Sequence, residues 1–356
     1  MAGVVRRRAD DVAARIVAFV DRMLDRFEQA GDGNALRRYR HRVGRRILEE
    51  RHLGPGLEDL IRPAFGHMPL LDDAPPDLTI YCCELESTGF DPGPMPWHRD
   101  VVGPQGEIVS LAGTNLRASW DPEGRTVQVI DHRRRAGFVL VESRRYFRSW
   151  ERGFPLRNIL HWWAASTSGQ LIHAGALGRP DGGVLLLGAG GAGKSTTTLA
   201  SLGSALRIAG DDFNLVDTAE PVTVHSLYSG AKLADAARSR FPDLADQLGE
   251  PDGRIEEKSL YFLDRKDPRA LIEQFPLKAL LALEVADAHD TYVAPIPAAA
   301  ALQACAPNTM FLLPGDREVS FRKLARLTRS RPCYRLMLGR HLEQIPLRIG
   351  ELLDRL

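Results

Sequence analysis

Eight residues in the middle of the chain, Gly188–Ser195, follow the pattern G-x-x-x-x-G-K-[ST]. Glycines in such a loop let the backbone turn tightly, so that successive N–H groups can point at phosphate oxygens. The lysine would reach the β- and γ-phosphates, and the serine hydroxyl would coordinate magnesium. The pattern therefore predicts that ATP or GTP binds with Mg²⁺ at the following residues: Gly188, Gly190, Gly191, Ala192, Gly193, Lys194, Ser195 and Thr196.

The residues on either side of the loop support this interpretation. Gly183–Leu187 is a continuous apolar run, which is typical of a central strand covered on both faces. Thr196–Ala205 can form a helix, and the N-terminus of a helix favours a bound anion. A glycine-rich turn that carries a lysine by chance would not need this strand–loop–helix context, which is why phosphate binding is favoured.

Two adjacent carboxylates follow the loop at short range. Leu206–Gly210 is expected to be a strand, and it ends in Asp211 and Asp212, seventeen and eighteen residues beyond Lys194. In a parallel sheet these carboxylates would lie beside the loop, at the edge where ligands bind. One could hold magnesium while the other accepts a proton from an attacking hydroxyl. The alternative is an ordinary Asp-Asp turn or helix cap.

A histidine precedes the strand that leads into the loop. His173 lies in the segment LIHAGALG. If its strand neighbours the loop strand, the imidazole would lie near the γ-phosphate and could sense or stabilise its charge. The alternative is a histidine that only fills a place in the core or on the surface.

Composition excludes several classes of function. The chain has 356 residues, 44% of them hydrophobic and 26% charged, and its formal net charge is +1. This balance gives no reason to expect nucleic acid or an acidic membrane as a partner. The four cysteines, which lack the C-x-x-C spacing of zinc and redox sites, are Cys82, Cys83, Cys305 and Cys333. No apolar run reaches the length of about 20 residues needed to span a bilayer, so a cytoplasmic protein is expected.

Three regions are expected along the chain: a helical region over 1–70, a β-rich module over 71–145 and a catalytic domain over 146–356. Apolar residues between Val12 and Phe27 recur at spacings of three and four, which predicts an amphipathic helix. A second helix is expected over 34–52, where six arginines could dock an acidic partner or form a solvated face.

Short candidate strands are punctuated by proline and glycine in the second region. One of them is Glu107–Leu111. In the third region a strand is expected over Leu171–Leu177, and the apolar runs Ser259–Leu263 and Ala279–Val285 are expected to extend the same sheet. The predicted fold class is α/β, with a mixed sheet flanked by helices.

The segments LIHAGALG, VLLLGAGGAGKSTTTLASL and LRIAGDDFNLV together resemble the catalytic domain of HPr kinase/phosphorylase and related serine kinases. The resemblance is best over Leu171–Asp217, with weaker similarity over Phe321–Leu356. It implies a P-loop-containing mixed sheet of the HPr kinase and PEP-carboxykinase type. It also implies ATP and Mg²⁺ as cofactors, and a homo-oligomer is known in that family.

The resemblance also implies roles for individual residues. Asp211 would be the general base toward a serine hydroxyl, Asp212 would help Ser195 hold the metal, and His173 would lie near the transferred phosphate. The sequence leaves the roles of the two aspartates interchangeable. Three cations that follow strands or loops at the same sheet edge are candidates for contacting the transferred group or the acceptor: Lys232, Arg254 and Lys258.

The acceptor is not expected to be the protein HPr. Residues 250–258 replace the glycine-rich signature loop through which the bifunctional enzymes engage their protein substrate. The sequence therefore predicts an ATP-dependent kinase that acts on the hydroxyl of a peptide, a protein or a small molecule. Since residues 1–140 match no motif, the alternative is a nucleotide-gated ATPase or binding module that regulates a protein partner.

Overall fold

A computed structural model describes residues 2–31, 36–71, 74–111 and 113–356. The helices are α1 (Ala2–Gly31), α2 (Glu58–Ile61), α3 (Leu85–Thr88), α4 (Ser149–Gly153), α5 (Arg157–Ala165), α6 (Lys194–Leu199), α7 (Asp235–Arg240), α8 (Pro242–Leu248), α9 (Leu263–Lys266), α10 (Ala298–Leu312), α11 (Arg317–Ser330) and α12 (Gln344–Leu353). None of the helices in these ranges combines the length and the apolar composition needed to cross a membrane.

The strands carry the central architecture. They are β1 (Leu36–Val43), β2 (Arg46–Leu53), β3 (Leu78–Glu84), β4 (Leu116–Asp121), β5 (Thr126–Asp131), β6 (Ala136–Val141), β7 (Gly169–His173), β8 (Gly175–Arg179), β9 (Gly182–Leu187), β10 (Arg207–Gly210), β11 (Phe213–Asp217), β12 (Thr223–His225), β13 (Gly230–Ala234), β14 (Gly253–Ile255), β15 (Lys258–Phe262), β16 (Gln274–Val285), β17 (Tyr292–Pro295) and β18 (Cys333–Leu338).

Within the described ranges the strands form three sheets, and helices flank them, so the chain is a mixed α/β protein. An amino-terminal sheet has the order β1-β2-β3-β6-β5-β4. A central sheet follows the order β10-β8-β9-β16-β12-β11-β7, with β18 on β16 and β17 on β18. A small antiparallel sheet has the order β13-β15-β14. The predicted α/β class is therefore confirmed at this level.

The helix predicted over residues 34–52 is wrong, because the chain forms the hairpin β1–β2 there. Residues 34 and 35, where that helix was to begin, lie outside the described part of the chain. Gly44 makes the turn with a φ of +62°, a conformation that glycine adopts without strain. His41 and Val43 are buried while Arg42 between them is exposed, which is the alternation of a half-buried strand.

The amino-terminal sheet combines two of the segments distinguished in the sequence. Its strands β1 and β2 come from the first 70 residues, and the neighbouring strand β3, parallel to β2, comes from the next segment. The amphipathic helix predicted near the amino terminus is confirmed as α1, which buries Ile16, Phe19, Met23 and Phe27. Phe19 packs edge-on against Trp97 at 5.4 Å between ring centroids. Helix and sheet thus share one apolar layer.

Aromatic side chains join the amino-terminal sheet to the central sheet. Phe154 packs edge-on against Phe213 and against Tyr228, in both cases at 5.6 Å between ring centroids. Tyr228 in turn contacts Phe65 at 5.4 Å. All four rings are buried in one hydrophobic cluster. Such contacts add to the free energy gained from burying their area, so the two sheets are fixed relative to each other.

The central sheet brings the carboxyl ends of β9 and β10 to one edge. Strand β8 lies between them and is antiparallel to both, so β9 and β10 run in the same direction. The glycine-rich loop follows β9 and the paired aspartates follow β10. The loop and the carboxylates thus lie at the same edge, as expected, but the sheet is mixed and not purely parallel. Strand β9 is antiparallel to β8 on one side and parallel to β16 on the other.

Three expected strands differ from the structure. Leu171–Leu177 is divided into β7 and β8, because the chain leaves the β11 side of the sheet at Ala174 and joins β9. Ser259–Leu263 corresponds to β15, which belongs to the small sheet and does not extend the central one. Within 107–111 a 3₁₀ turn, Val109–Leu111, replaces most of the strand. Ala279–Val285 is confirmed as part of β16.

The hairpin β1–β2 contains a buried carboxylate that lies between two histidines. The Glu50 oxygens lie 3.1 Å from Nε2 of His41 and 3.0 Å from Nε2 of His52, and all three side chains are fully buried. Burial alone would raise the pKa of Glu50, but the two imidazoles lower it to about 2 from an ordinary value of 4.5. The ionised carboxylate is therefore the form that stabilises the fold.

Replacing Glu50 by glutamine is expected to remove about 3 kcal/mol of stability at pH 7, the free energy that corresponds to this pKa shift. Because the pKa is lower in the folded state, the contribution is complete above about pH 4.5 and is lost as the pH falls toward 2. Denaturant unfolding between pH 3 and 8 measures it. Glu257→Gln, at an exposed carboxylate, is the control. An unchanged slope of stability against pH in Glu50→Gln would contradict the prediction.

Candidate functional site

A large cavity of about 1250 Å³ lies between the glycine-rich loop and the amino-terminal sheet. One side is formed by the loop, the start of α6 and the end of β7. The opposite side is formed by β4, β5 and the helices α4 and α5. A volume of this size exceeds that of typical ligand pockets, which run from about 300 to 1,000 Å³, so it can hold a nucleotide and a second small molecule together.

The loop has the backbone conformation that its glycines allow. Gly191 and Gly193 have φ angles of +83° and +94°, which disfavour residues with a side chain. A Cβ atom on Gly193 would also lie 2.6 Å from Cδ1 of Leu338, so that side chain would have to shift. The backbone conformation is therefore the main reason for a glycine at this position.

Lys194 begins α6 directly after the loop and is buried. Its Nζ donates to the carbonyl oxygens of Gly188 at 2.7 Å and Ala189 at 3.2 Å. Burial lowers the pKa of Lys194, and the nearby carboxylates of Asp212 and Asp211 counter this effect. The ammonium group is thus held beside the loop, close enough to contact an anion bound there.

Asp212 lines the cavity between two basic side chains. One carboxylate oxygen lies 2.6 Å from Nε2 of His173, and the other accepts a hydrogen bond from Nζ of Lys232 at 2.7 Å. Burial would raise the pKa of Asp212, but the hydrogen bond from His173 and the charge of Lys232 lower it well below its usual range. His173 and Lys232 line the same cavity, so the three groups form one charged cluster.

Asp211 is 1% exposed and lies behind the residues that line the cavity, next to Ser195, which is one of them. Its Oδ2 accepts the backbone N–H of Lys232 at 3.0 Å, whereas Oδ1 has no partner among the described residues. Burial and the charge of Asp212 raise the pKa of Asp211 to about 6, and the Lys232 backbone and the Ser195 side chain oppose the rise. A buried oxygen without a partner is costly, which indicates a ligand or ion at this position.

Backbone contacts fix the two aspartates between β10 and β11. The carbonyl oxygen of Asp212 accepts the N–H of Ala174 at 2.9 Å, at the point where β7 gives way to β8. The side chain of Asn214 donates to the carbonyl oxygen of Ala174 at 2.7 Å. These contacts tie the aspartate turn to the residue after His173, which explains why two segments 39 residues apart meet at the cavity.

The structure brings most of the predicted site residues together. Those that line the cavity are Gly190, Gly191, Gly193, Lys194, Ser195, Thr196, His173, Asp212, Lys232 and Lys258. Gly188 and Ala192 lie in the same loop, and the Gly188 carbonyl accepts hydrogen bonds from Lys194 and from Asn308, at 3.0 Å for the latter. Asn308 was not expected from the sequence, because α10 carries no local pattern that points to the loop.

Arg254 does not join the other candidates. Its guanidinium pairs with the carboxylate of Asp235 at 2.7 Å, and its side chain is 58% exposed. Arg254 is also not among the residues that line the cavity. The position on β14 therefore gives it no direct contact with the site, in contrast to Lys232 and Lys258.

The far wall of the cavity was not predicted. It includes polar side chains from three elements that no sequence motif connects: Gln128, Glu151, Arg157 and Asn158. Gln128 comes from β5 of the amino-terminal sheet, and the other three come from α4 and α5. Because these elements are distant in sequence and meet through contacts such as that of Gln128 with Glu151, the sequence carries no local signal for the wall.

The described part of the chain contains no cluster of three or more His, Cys, Asp or Glu side chains arranged to hold a metal. The oxygen donors near the loop include the Ser195 hydroxyl and the Asp211 carboxylate, which lie next to each other. Such a pair suits Mg²⁺, which commonly keeps several waters and takes only one or two protein oxygens.

Comparison with known proteins adds no assignment. No protein-family model matches the chain, and a search of curated proteins gives no match.

Proposed function

We propose that this chain is an ATP-dependent kinase that transfers the γ-phosphate of ATP to a hydroxyl group of its acceptor. The observation that carries the proposal is the cluster of Asp212, His173 and Lys232, which lines the same cavity as the glycine-rich loop and Lys194. A carboxylate beside a phosphate-binding loop is what transfer to a hydroxyl requires. The resemblance to HPr kinase and its serine-kinase relatives supports the same activity.

The loop and Lys194 would bind the phosphates of ATP. Glycines with positive φ angles orient backbone N–H groups toward an anion, and the start of α6 adds its dipole. The ammonium of Lys194, now bonded to carbonyl oxygens of the loop, would turn to the β- and γ-phosphate oxygens. This exchange keeps a buried cation paired with an acceptor at every stage.

Ser195 and Asp211 would hold the magnesium ion. The unpartnered Oδ1 of Asp211 and the adjacent Ser195 hydroxyl fit a small oxygen-binding cation. A bound Mg²⁺ would supply neutralisation of the charge on the phosphate oxygens. This position favours Asp211 as the metal ligand, which is the reverse of the division of roles that the sequence resemblance implied.

Asp212 would then orient and deprotonate the acceptor. Its carboxylate reaches the cavity, whereas that of Asp211 does not. In the transfer, the acceptor oxygen bonds to the γ-phosphorus while the bond to the β–γ bridging oxygen breaks to release ADP. The acceptor proton becomes acidic as the new P–O bond forms and then passes to the Asp212 carboxylate, whose pKa is low. Lys232 and His173 would orient the carboxylate and stabilise charge on the phosphoryl group.

The proposal is tested with γ-³²P-labelled ATP, Mg²⁺ and acceptors that carry a hydroxyl, from serine-containing peptides to small alcohols. Label that appears in the acceptor as a phosphate ester supports the kinase. Label that appears only in inorganic phosphate, together with a stable complex with a protein partner, would instead favour a regulatory ATPase. In that case, bound nucleotide would act on the partner through the far wall of the cavity, which comes from the amino-terminal half.

A further inference from the structure

Four polar side chains form one patch on the cavity wall away from the glycine-rich loop. Gln128 lies on β5, Glu151 on α4, and Arg157 and Asn158 begin α5. Neither the loop nor the aspartate pair contacts them through any hydrogen bond within the described ranges. The patch is therefore separate from the groups assigned to phosphate and metal, and its purpose is not explained by them.

Each of these side chains has one buried polar atom without a hydrogen-bond partner among the described residues. The atoms are Oε1 of Gln128, Oε2 of Glu151, Oδ1 of Asn158 and Nε of Arg157. Buried polar atoms are normally paired, and an unpaired one costs free energy. Four of them on one wall indicate that a bound molecule completes their hydrogen bonds.

The remaining polar atoms of the patch fix its orientation. Nε2 of Gln128 donates to Oε1 of Glu151 at 3.0 Å, and Nδ2 of Asn158 donates to Oγ of Ser119 at 3.1 Å. The guanidinium of Arg157 lies 5.2 Å from the centroid of the Phe213 ring. The terminal torsions of amides and carboxyls are broad, so rotation about them can turn the free oxygens of Gln128, Glu151 and Asn158 toward a ligand in the cavity.

The kinds of free atom define what the ligand must offer. Three are oxygens that accept and one is a nitrogen that donates, so the ligand must supply several donors within a small space. Arg157 forms no ion pair with any described residue, and its charge disfavours a cationic ligand such as an amine. Burial raises the pKa of Glu151 to about 7, and Arg157 partly opposes the rise, so this carboxyl can accept or donate near neutral pH. Hydroxyl groups, which are neutral and both donate and accept, meet these requirements.

An extended peptide cannot pair with β4, the strand at the end of the amino-terminal sheet. The outer edge of β4 is already covered, because Ile108 donates its N–H to the carbonyl of Ala118 and Trp120 donates to that of Gly106, each at 2.8 Å. Addition of a strand to this edge would need those groups free. The wall therefore offers side-chain contacts to a compact ligand.

We infer, on the basis of the proposed kinase function, that the phosphate acceptor is a small polyhydroxylated molecule, a sugar or related polyol. It binds to Gln128, Glu151, Arg157 and Asn158 and directs one hydroxyl to Asp212. Phe213 connects the two places, since it follows Asp212 in the chain and its ring centroid lies 5.2 Å from the Arg157 guanidinium. Trp150 is 37% exposed and also lines the cavity. The Arg148 guanidinium lies 5.1 Å from the centroid of its ring, which leaves the opposite face for the C–H groups of the ligand.

The experiment uses the full chain with γ-³²P-labelled ATP and Mg²⁺. One arm offers D-glucose, D-ribose, myo-inositol, sorbitol and glycerol, and the other offers free L-serine and a serine-containing peptide. Products are identified by mass spectrometry as a gain of one phosphate. We expect a phosphate ester on at least one polyol and none on the peptide.

Gln128→Leu is expected to raise KM for the polyol about tenfold or more, because the site then leaves donors of the ligand unpaired. The KM for ATP and the kcat at saturating polyol should stay within about twofold, since Gln128 contacts neither phosphate nor Asp212. Gln303→Leu, at an exposed position of α10 outside the cavity, is the matched control and should leave all constants unchanged. Equal KM values in Gln128→Leu and the wild type would overturn the assignment of the patch.

The outcomes separate this inference from the function on which it rests. Phosphate on the peptide or on serine, with none on any polyol, overturns the inference and leaves the kinase proposal standing. Transfer to no acceptor at all overturns the kinase proposal, and the inference falls with it. Transfer to a polyol together with the selective rise in KM supports both.

Discussion

Replacing Asp212 by asparagine should lower kcat for phosphoryl transfer by about 10²- to 10⁴-fold, the usual contribution of a positioned acid or base. The affinity for ATP should change by less than about threefold, because Asp212 faces the acceptor side of the cavity and contacts His173 and Lys232. Single-turnover transfer and fluorescence titration with ATP measure the two quantities. The folded protein should also lose stability at pH 7, since the lowered pKa of Asp212 shows that the ionised carboxylate is favoured there.

The same substitution at the neighbouring Asp211 is expected to have different effects and serves as a comparison. Asp211→Asn should raise the Mg²⁺ concentration needed for half-maximal activity at least about tenfold, because it alters a metal ligand. It should also stabilise the fold at pH 7 by up to about 3 kcal/mol, the free energy that corresponds to the rise of its pKa to about 6. The sign follows because the charged form is disfavoured in the folded state, so this penalty grows as the pH rises from about 4 to 6.

A reversed pattern would show that the roles of the aspartates are the other way round. If Asp211→Asn stops transfer at all Mg²⁺ concentrations while Asp212→Asn only weakens the metal requirement, Asp211 is the base. Near-normal transfer in both variants would show that neither aspartate of the turn after β10 takes part in phosphoryl transfer. In that case the cluster of Asp212, His173 and Lys232 would be a structural ion pair, with a role in stability only.

Lys194→Ala should abolish transfer and weaken ATP binding by about 10²-fold or more, because it removes the cation that lies against the loop. Ligand that binds the folded state raises its stability, by about 2.7 kcal/mol at a hundredfold excess over Kd. Wild-type protein should therefore melt several degrees higher with saturating ATP and Mg²⁺. Thermal melting of the variant should show no such shift at the same concentrations.

Removal of the Lys194 side chain should not unfold the loop by itself. Asn308 still donates to the carbonyl oxygen of Gly188 at 3.0 Å, so this acceptor keeps a partner. Lys266→Ala, at an exposed lysine of α9, is the control for loss of one positive charge. A normal nucleotide-dependent shift in Lys194→Ala would contradict the assignment of the loop as the phosphate site.

The parts of the site that could be predicted from sequence are those carried by contiguous residues. The run Gly188–Ser195 contains its own turn-forming glycines and lysine, so its chemistry can be read without knowing the fold. The aspartate pair could also be placed near it, because the pair follows β10, which lies one strand away from β9. The strand of His173 does not neighbour the loop strand as expected, since β7 pairs with β11 and not with β9, and His173 reaches the site through that pairing. The contact of His173 with Asp212 at 2.6 Å is a feature of the structure that the sequence did not predict.

Other predictions failed where two patterns compete in the same residues. Arginine-rich segments favour helices by propensity, and this misled the prediction over residues 34–52. The decisive signal was the alternation of His41 and Val43 with exposed residues, followed by Gly44 at the turn. The polar patch with Gln128 and Glu151 gave no signal at all, because its members come together only when α4 and α5 pack against β4 and β5 of the amino-terminal sheet.

The cavity has one consequence for how its properties can be altered. Its far wall is encoded before residue 160, and the loop with its charged cluster is encoded after residue 170. On the proposed function, the residues that recognise the acceptor and those that bind phosphate therefore belong to separate stretches of the chain. A chimera joined in the turn near Ser168 would exchange one without the other, provided that the incoming half still presents a ring like Phe154 to Phe213 and Tyr228. Acceptor specificity could then be exchanged as a unit, as long as these aromatic contacts are preserved.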